Sequence, residues 1–264
     1  MKSIKFTSCM AANADIVCRQ ISTYLGDRLG ITTEFIADIP WQQREKLLDT
    51  GEIQVGWICG LPYVWKADQH YPIELLVAPV MQGERYQNQP VYFSDVVVRR
   101  DSSFQALADL RGRRWAYNEP RSQSGYYVTR YTLAQRGLPS SYFGEAIESG
   151  AHQVSLQMIL NGEIDASAID STVLELELQQ QPGLAAQIRI IDTFGSSPIP
   201  PWIIAQQVPA DLKQQLRSAF LTMHTDPIGQ AILMTGLIDH FVRVTDADYD
   251  PVRAMIPLAE TVLL

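Results

Sequence analysis

The sequence predicts an α/β protein of two lobes, and three observations carry that expectation. Short apolar runs of strand length alternate with helical patterns from end to end, the arrangement of mainly parallel sheets covered by helices. The alternation runs as one set of units to about Arg99 and begins again near Arg113. A late apolar run, Trp202 to Ala205, then resumes the first set after a long insertion. Two strands, Tyr92 to Arg99 and Trp202 to Ala205, are the expected crossings. They give a first lobe of residues 1–93 and 200–264 and a second lobe of residues 94–199.

Taken in order, KSIKFT at Lys2 to Thr7 reads as the first strand. Asp15 to Leu29 has apolar residues at helical spacing and stops at Gly30, a residue suited to the left-handed turn that closes a helix. Ile31 to Ile36 is a strand, Trp41 to Asp49 a helix closed by Thr50-Gly51, and Ile53 to Ile58 a strand running into Cys59-Gly60. Glu74 to Val80 and Tyr92 to Arg99 alternate as strands do. A helix-like stretch from Ser103 to Leu110 leads to a strand at Arg113 to Tyr117. There follow helices at Ser124 to Arg136 and Val154 to Leu160, a strand at Ala166 to Ile169, a helix at Thr172 to Gln180 and a strand at Ile188 to Ile191. FGSSPIPPW, ending at Trp202, is a Pro-rich connection. Beyond Ala205 come helices at Ala210 to His224 and Pro227 to Leu237, and a last one around Asp250 to Leu258.

Composition narrows the chemistry. A chain of 264 residues with 46% hydrophobic and 19% charged content has enough apolar material for one large domain or two small lobes. Its 21 Lys and Arg against 29 Asp and Glu give a net charge of −8, and no basic run is long enough to track a phosphate backbone. Nucleic acid is therefore not an expected partner. A small anion is not excluded, because binding follows the local field of a site. No apolar run approaches the ~20 residues of a membrane span. No signal peptide is visible either, since Asn13 and Asp15 interrupt any apolar core near the start. Cys9, Cys18 and Cys59 have no metal-type spacing and read as unpaired buried thiols. No cofactor and no metal is expected.

The stretch YNEPRSQSGYY from Tyr117 to Tyr127 sets two hydroxyls, an amide and a glycine where a helix begins. The first turn of a helix carries amides with no internal acceptor and about +0.5 of an elementary charge, so an anion fits there. Ser122 can offer its hydroxyl, Gln123 and Ser124 their backbone N–H groups, and Gly125 a backbone with no Cβ in the way of an oxyanion. The other reading is simple helix capping by Ser122. Loops at the carboxyl ends of strands are where open α/β sheets bind ligands, and this loop is one of them.

Together with SGAHQVSLQMILNGEIDASAIDST, beginning at Ser149, and GEIQVGWICGLPYVW, beginning at Gly51, this stretch resembles the phosphonate/phosphate-type solute-binding proteins of ABC importers over most of the chain. Their N-D/E-P-x-S-x-S-G element is matched by Asn118, Glu119, Pro120, Ser122, Ser124 and Gly125. The resemblance implies a type II periplasmic-binding-protein-like architecture that closes on a small anionic ligand, most readily a phosphonate or related phosphorus oxyanion. It implies that Ser122, Gln123 and Ser124 bind the phosphonate-type oxygens, that His152 adds a donor, that Tyr92 and Trp41 offer aromatic contacts, and that Asp170 lines the site; Tyr63 is a candidate for the same aromatic wall by residue type alone, the other reading being a ring that completes a core. Membrane subunits of an ABC transporter are the implied protein partners of a monomer. The implied location is periplasmic, or tethered outside the inner membrane, with the cytoplasm left open by the missing leader.

Read on their own, these residues keep alternatives. Asp170 before Ser171-Thr172 is either an N-cap or a counter-charge for a ligand amine. His152 is either packed or a donor, and a bound dianion would favour its charged form, so that binding weakens as pH rises. No H-E-x-x-H, G-x-S-x-G or G-x-x-x-x-G-K-[ST] pattern occurs. No catalytic residue is expected, although a thiol at Cys59 keeps open a cytoplasmic enzyme on the same fold, acting on a small organic acid. A sensory protein of that fold is the third class.

Overall fold

A computed structural model of the chain describes residues Ser3 to Leu264. Lys2, placed by the sequence in the first strand, lies outside the described residues. The chain divides into two compact units. One holds the chain up to Val91 together with Pro198–Tyr249, and the other holds Tyr92–Ser197 with Asp250–Leu264.

The first unit is built on β1 (Ser3–Ser8), α1 (Asp15–Leu29), β2 (Thr32–Ile36), α2 (Trp41–Asp49), β3 (Val55–Trp57), α3 (Gly60–Asp68) and β4 (Ile73–Met81). Its six-stranded sheet is completed by two strands from later in the chain, β10 (Trp202–Ala205) and β11 (Ile238–Val242), and has the order β11-β4-β10-β3-β1-β2. β1 runs parallel to β2 and β3. α1 buries Val17, Cys18, Ile21, Tyr24 and Leu25, one face at helical spacing, and ends at Gly30 in the left-handed conformation at φ 64°.

The second unit contains β5 (Val91–Arg99), β6 (Arg114–Tyr117), α4 (Val128–Gln135), β7 (Glu145–Glu148), α5 (His152–Asn161), β8 (Ala166–Asp170), α6 (Ser171–Gln180) and β9 (Ile188–Pro198). Its sheet order is β7-β6-β8-β5-β9. Val97, Ala116, Leu156, Ile159, Ile169 and Leu174 form its core, drawn from three strands and two helices. The chain then returns to the first unit with β10 (Trp202–Ala205), α7 (Ala210–Thr222), α8 (Pro227–Thr235) and β11 (Ile238–Val242). β10 pairs antiparallel with β3 and β4, stacking Trp202 on Trp57 at 5.8 Å. It ends with α9 (Asp250–Ala259) in the second unit.

Several expectations need correction. Residues 250–264, assigned by the sequence to the first lobe, belong to the second unit, so the chain passes between units three times rather than twice. The physical reason lies on α4. Arg130 spreads its guanidinium over Tyr126 and Tyr127 and donates to the Val262 carbonyl at 2.5 Å, while Ser140 Oγ accepts from the Leu263 N–H at 3.0 Å. The apolar face of α9, with Val252, Met255 and Ala259 buried, needs a partner, and periodicity does not name which. β9 runs to Pro198, through half of the stretch read as a Pro-rich connection. Ser103 to Leu110 forms only a 3-10 turn at Leu107–Leu110, and α3, β7 and β11 were not expected.

Candidate ligand-binding site

β6 runs parallel to both β7 and β8. Their last residues, Tyr117, Glu148 and Asp170, therefore stand along one edge of the second unit's sheet, and each strand feeds a helix start. Such an edge gathers first-turn amides that lack acceptors and the positive ends of helix dipoles. β5 is antiparallel to β8, with Ser94 opposite Asp170, so Tyr92 lies at the same edge. There the Phe93 N–H donates to Ser171 Oγ at 3.1 Å.

After β6 the chain turns at Pro120, and Ser122 caps the helix that follows. Its Oγ accepts from the Gly125 N–H at 3.0 Å. The Tyr127 N–H reaches back to the Ser122 carbonyl at 3.0 Å, which makes Gln123–Tyr127 a π turn ahead of α4. Wide turns of this kind are common at functional sites. Capping and anion binding are compatible here, because a hydroxyl that accepts one bond still has a hydrogen to donate. The Gln123 and Ser124 amides have no helical acceptor behind them.

α5 adds His152, its first residue. Nε2 lies 3.1 Å from Ser124 Oγ, and Ser124 Oγ lies 3.5 Å from Ser122 Oγ. His152 is 5% exposed, and burial alone lowers its pKa to about 4. The imidazole is therefore neutral in the ligand-free protein, while the charged ring expected from the sequence belongs to the state with a dianion bound. Nδ1 has no hydrogen-bond partner. A proton on Nδ1 would be an orphaned buried donor, the costlier arrangement. Proton on Nε2, the ring donates to Ser124 Oγ and turns the hydroxyl hydrogen outward.

Gly125 is required for a reason other than the one its sequence context indicates. A Cβ there would meet Asn118 Oδ1 and stand 3.1 Å from His152 Cε1. The space beside this glycine is filled by its own unit and not held open for a ligand. Asn118, which the sequence placed in the motif without a task, keeps the loop against the π turn; its Oδ1 is buried with no hydrogen-bond partner.

Gln123 is 1% exposed, yet both Oε1 and Nε2 are buried without a hydrogen-bond partner. Each unmet polar group of that kind costs about 1–3 kcal/mol. The sequence assigns Gln123 a backbone N–H donor and, by resemblance, contact with the oxyanion, with no separate task for its side chain.

Asp170 caps α6: Oδ1 accepts from the Thr172 N–H at 2.9 Å and from Thr172 Oγ1 at 2.7 Å. Burial raises its pKa to about 6 against those bonds, and the nearby Asp95 carboxylate adds to the rise. Tyr92 is fully buried. Trp41 and Tyr63 belong to the first unit, where Trp41 opens α2 and Tyr63 lies in α3. The Tyr63 hydroxyl donates to Asp246 Oδ1 at 2.7 Å and its ring meets Tyr249 edge-on at 4.8 Å, so it serves packing in its own unit. Cys9, Cys18 and Cys59 form no disulfide, only Cys18 among them is as buried as the sequence led us to expect, and burial pushes the Cys9 thiol up to about 12.

Ser124 and His152 stand at the spacing of a nucleophile and its base, but the geometry does not favour that use. An imidazole with a lowered pKa is a weak base, and no group bonds Nδ1 to orient the ring as a third triad member does. The cluster instead offers hydroxyl and amide donors at a helix start. Among the described residues no group of His, Cys, Asp and Glu is arranged to hold a metal ion.

Two α/β units sharing one interleaved chain, one of them carrying donors at a parallel-sheet edge, define the class of type II periplasmic-binding-protein-fold solute-binding proteins. The chain belongs to the family described as "ABC transporter, phosphonate, periplasmic substrate-binding protein", whose model matches residues 17–249. A relative from Prochlorococcus marinus strain MIT 9301, the probable ABC transporter phosphite binding protein PhnD1, is 21% identical over 194 residues, 72% of this chain. The match spans 65% of that relative's length. The structure of PhnD1 from Prochlorococcus marinus in complex with methylphosphonate superposes with a TM-score of 0.85 at 18% identity, covering 99% of each chain. A binding protein component of an ABC phosphonate transporter from Pseudomonas aeruginosa gives 0.84 at 17% identity, covering 98% of this chain and 86% of that one. At such identities the structural likeness speaks for the fold.

Proposed function

We propose that this protein captures a small phosphorus oxyanion of the phosphonate class and delivers it to the membrane subunits of an ABC importer. The observation that carries this reading is the donor cluster Ser122, Gln123, Ser124 and His152, buried together at a helix start. Its hydroxyls and amides are neutral, so the attraction for an anion comes from hydrogen bonds and the helix dipole. Charge-assisted bonds contribute about 1.5–3 kcal/mol each, and a micromolar dissociation constant requires about 8 kcal/mol. Three to five such bonds supply it. Tyr92 and Asp170, at the same sheet edge, are proposed to meet the rest of the ligand, and Gly125 to let the loop close on Asn118.

The protein acts as a monomer outside the cytoplasmic membrane and does not turn its ligand over. The family's description supports the location, and the weak basicity of His152 supports reversible binding. Thermal unfolding against phosphate, phosphite, methylphosphonate, aminoethylphosphonate, sulfonates and carboxylate metabolites tests the reading. A ligand at 100 times its dissociation constant adds about 2.7 kcal/mol of stability. A shift with phosphonates supports capture; a shift with a carboxylate alone, or a ligand chemically altered on incubation, overturns it.

A further inference from the structure

Gln123 carries an inference that deepens the proposed function and rests on it. Its amide is among the most buried polar groups of the site, and both of its ends are unpaired. Its sequence neighbours Ser122 and Ser124 bring hydroxyls that can donate, and the start of the turn brings two backbone amides without helical acceptors. A ligand bearing only oxygen acceptors would satisfy those and the Gln123 NH2. The Gln123 oxygen would still face an oxyanion with nothing to accept. Exchanging the amide's nitrogen and oxygen changes nothing, because neither end has a partner, and one of them is always an acceptor.

We propose that Gln123 makes this site selective for the singly protonated oxyanion, R–PO2(OH)−, by accepting the hydrogen of its P–OH group while its NH2 donates to a second oxygen. A sulfonate carries no such hydrogen and binds more weakly for lack of it. Phosphoryl groups lose their second proton near neutrality, at about pH 6 in phosphate monoesters and somewhat higher in alkyl phosphonates. The form that binds is therefore the one that disappears as pH rises.

Other groups around the turn titrate or carry charge and must be separated from this effect. His152 on α5, Asp170 at the end of β8, Glu119 and Arg121 in the preceding loop, Tyr126 and Tyr127 in the turn, Arg130 on α4 and Glu260 beyond α9 lie on the elements packed against it. Methanesulfonate, which does not titrate in this range, reports their combined contribution. Its profile divides out of the methylphosphonate profile.

The experiment is isothermal calorimetry of methylphosphonate, methanesulfonate and aminoethylphosphonate between pH 5.5 and about 9, with the whole chain and with Gln123→Met and Gln123→Glu. The expected result is that methylphosphonate is preferred by at least about tenfold at low pH, the effect of one charge-assisted hydrogen bond. That preference falls tenfold per pH unit above the ligand's second ionisation. Gln123→Met, of similar volume, collapses the preference. Gln123→Glu, an acceptor only, keeps the dependence on a ligand hydrogen. A methylphosphonate profile parallel to that of methanesulfonate, or a preference unchanged in Gln123→Met, overturns the proposal while leaving phosphonate capture standing. So does sensitivity to Gln123 seen only with aminoethylphosphonate, which would place an ammonium against the amide. Absence of methylphosphonate binding to the unmodified chain would sink both readings together.

Discussion

The Nε2 atom of His152 and the Oγ of Ser124 stand 3.1 Å apart although 28 residues separate them in the chain. The contact joins two helix starts, and it leaves the serine hydroxyl hydrogen for a third party. It joins side chains from the first turns of two helices into one donor group.

Replacing Ser124 by Ala removes that donor and leaves the buried His152 N–H without its acceptor. Methylphosphonate affinity should fall at least about tenfold, the effect of one charge-assisted hydrogen bond. Calorimetry on the purified variant reads this directly. An unchanged dissociation constant would mean that the loop only caps α4.

His152 ties stability to pH in a defined direction. Its folded pKa, about 4, lies below the ordinary value of 6.5, so the unfolded chain binds more protons between these limits and stability is lost as pH falls from 6.5 towards 4. The contribution is whole above 6.5. Urea unfolding across this window should show an acid loss of the order of a few kcal/mol, much reduced in His152→Asn. Equal pH slopes in both proteins would contradict the buried neutral ring.

Asp170 has the opposite sign. Its folded pKa, raised to about 6 from 3.8 chiefly by burial, means that the folded protein holds the proton more tightly, and stability declines as pH rises from 3.8 through 6. Asp170→Asn keeps an oxygen acceptor for the Thr172 amide. The variant should gain on the parent protein as pH rises through that window, and a constant difference in unfolding free energy would refute the assignment.

Gly125→Ala should cost about 1–3 kcal/mol, the usual penalty of overpacking, because its Cβ meets Asn118 Oδ1. Removing the obstruction in Asn118→Ala/Gly125→Ala should restore part of that stability. Thermal melts of both variants and of Asn118→Ala alone check the coupling. Additive losses would place the strain elsewhere.

The elements most legible in the sequence are those with a partly exposed face and a clear stop. The bounds of α1 and α2 match the spacing and the Thr50-Gly51 and Gly30 endings. α3 was hidden because Gly60, Leu61, Pro62, Tyr63 and Val64 are all buried, which erases the polar stripe that periodicity needs. β7 is a short strand with exposed ends, and β11 follows α8 after a few residues, so neither carries enough alternation to stand out. At the site, residue types and helix starts were readable, since capping chemistry is local. The meeting of His152 with Ser124, the Asn118 wedge and the unpaired Gln123 side chain depend on parallel strands aligning their ends, which no local pattern states.

The return of the chain at Asp250 has a consequence in time. During synthesis, residues 92–197 emerge long before Asp250–Leu264, which complete the unit by covering α4. Until residues 250–264 are made, the face of α4 that receives Val262 and the buried side of α9 lacks that cover. The unit that carries the donor cluster is thus finished after the other, and that cluster lacks its final support until residues 250–264 have been made.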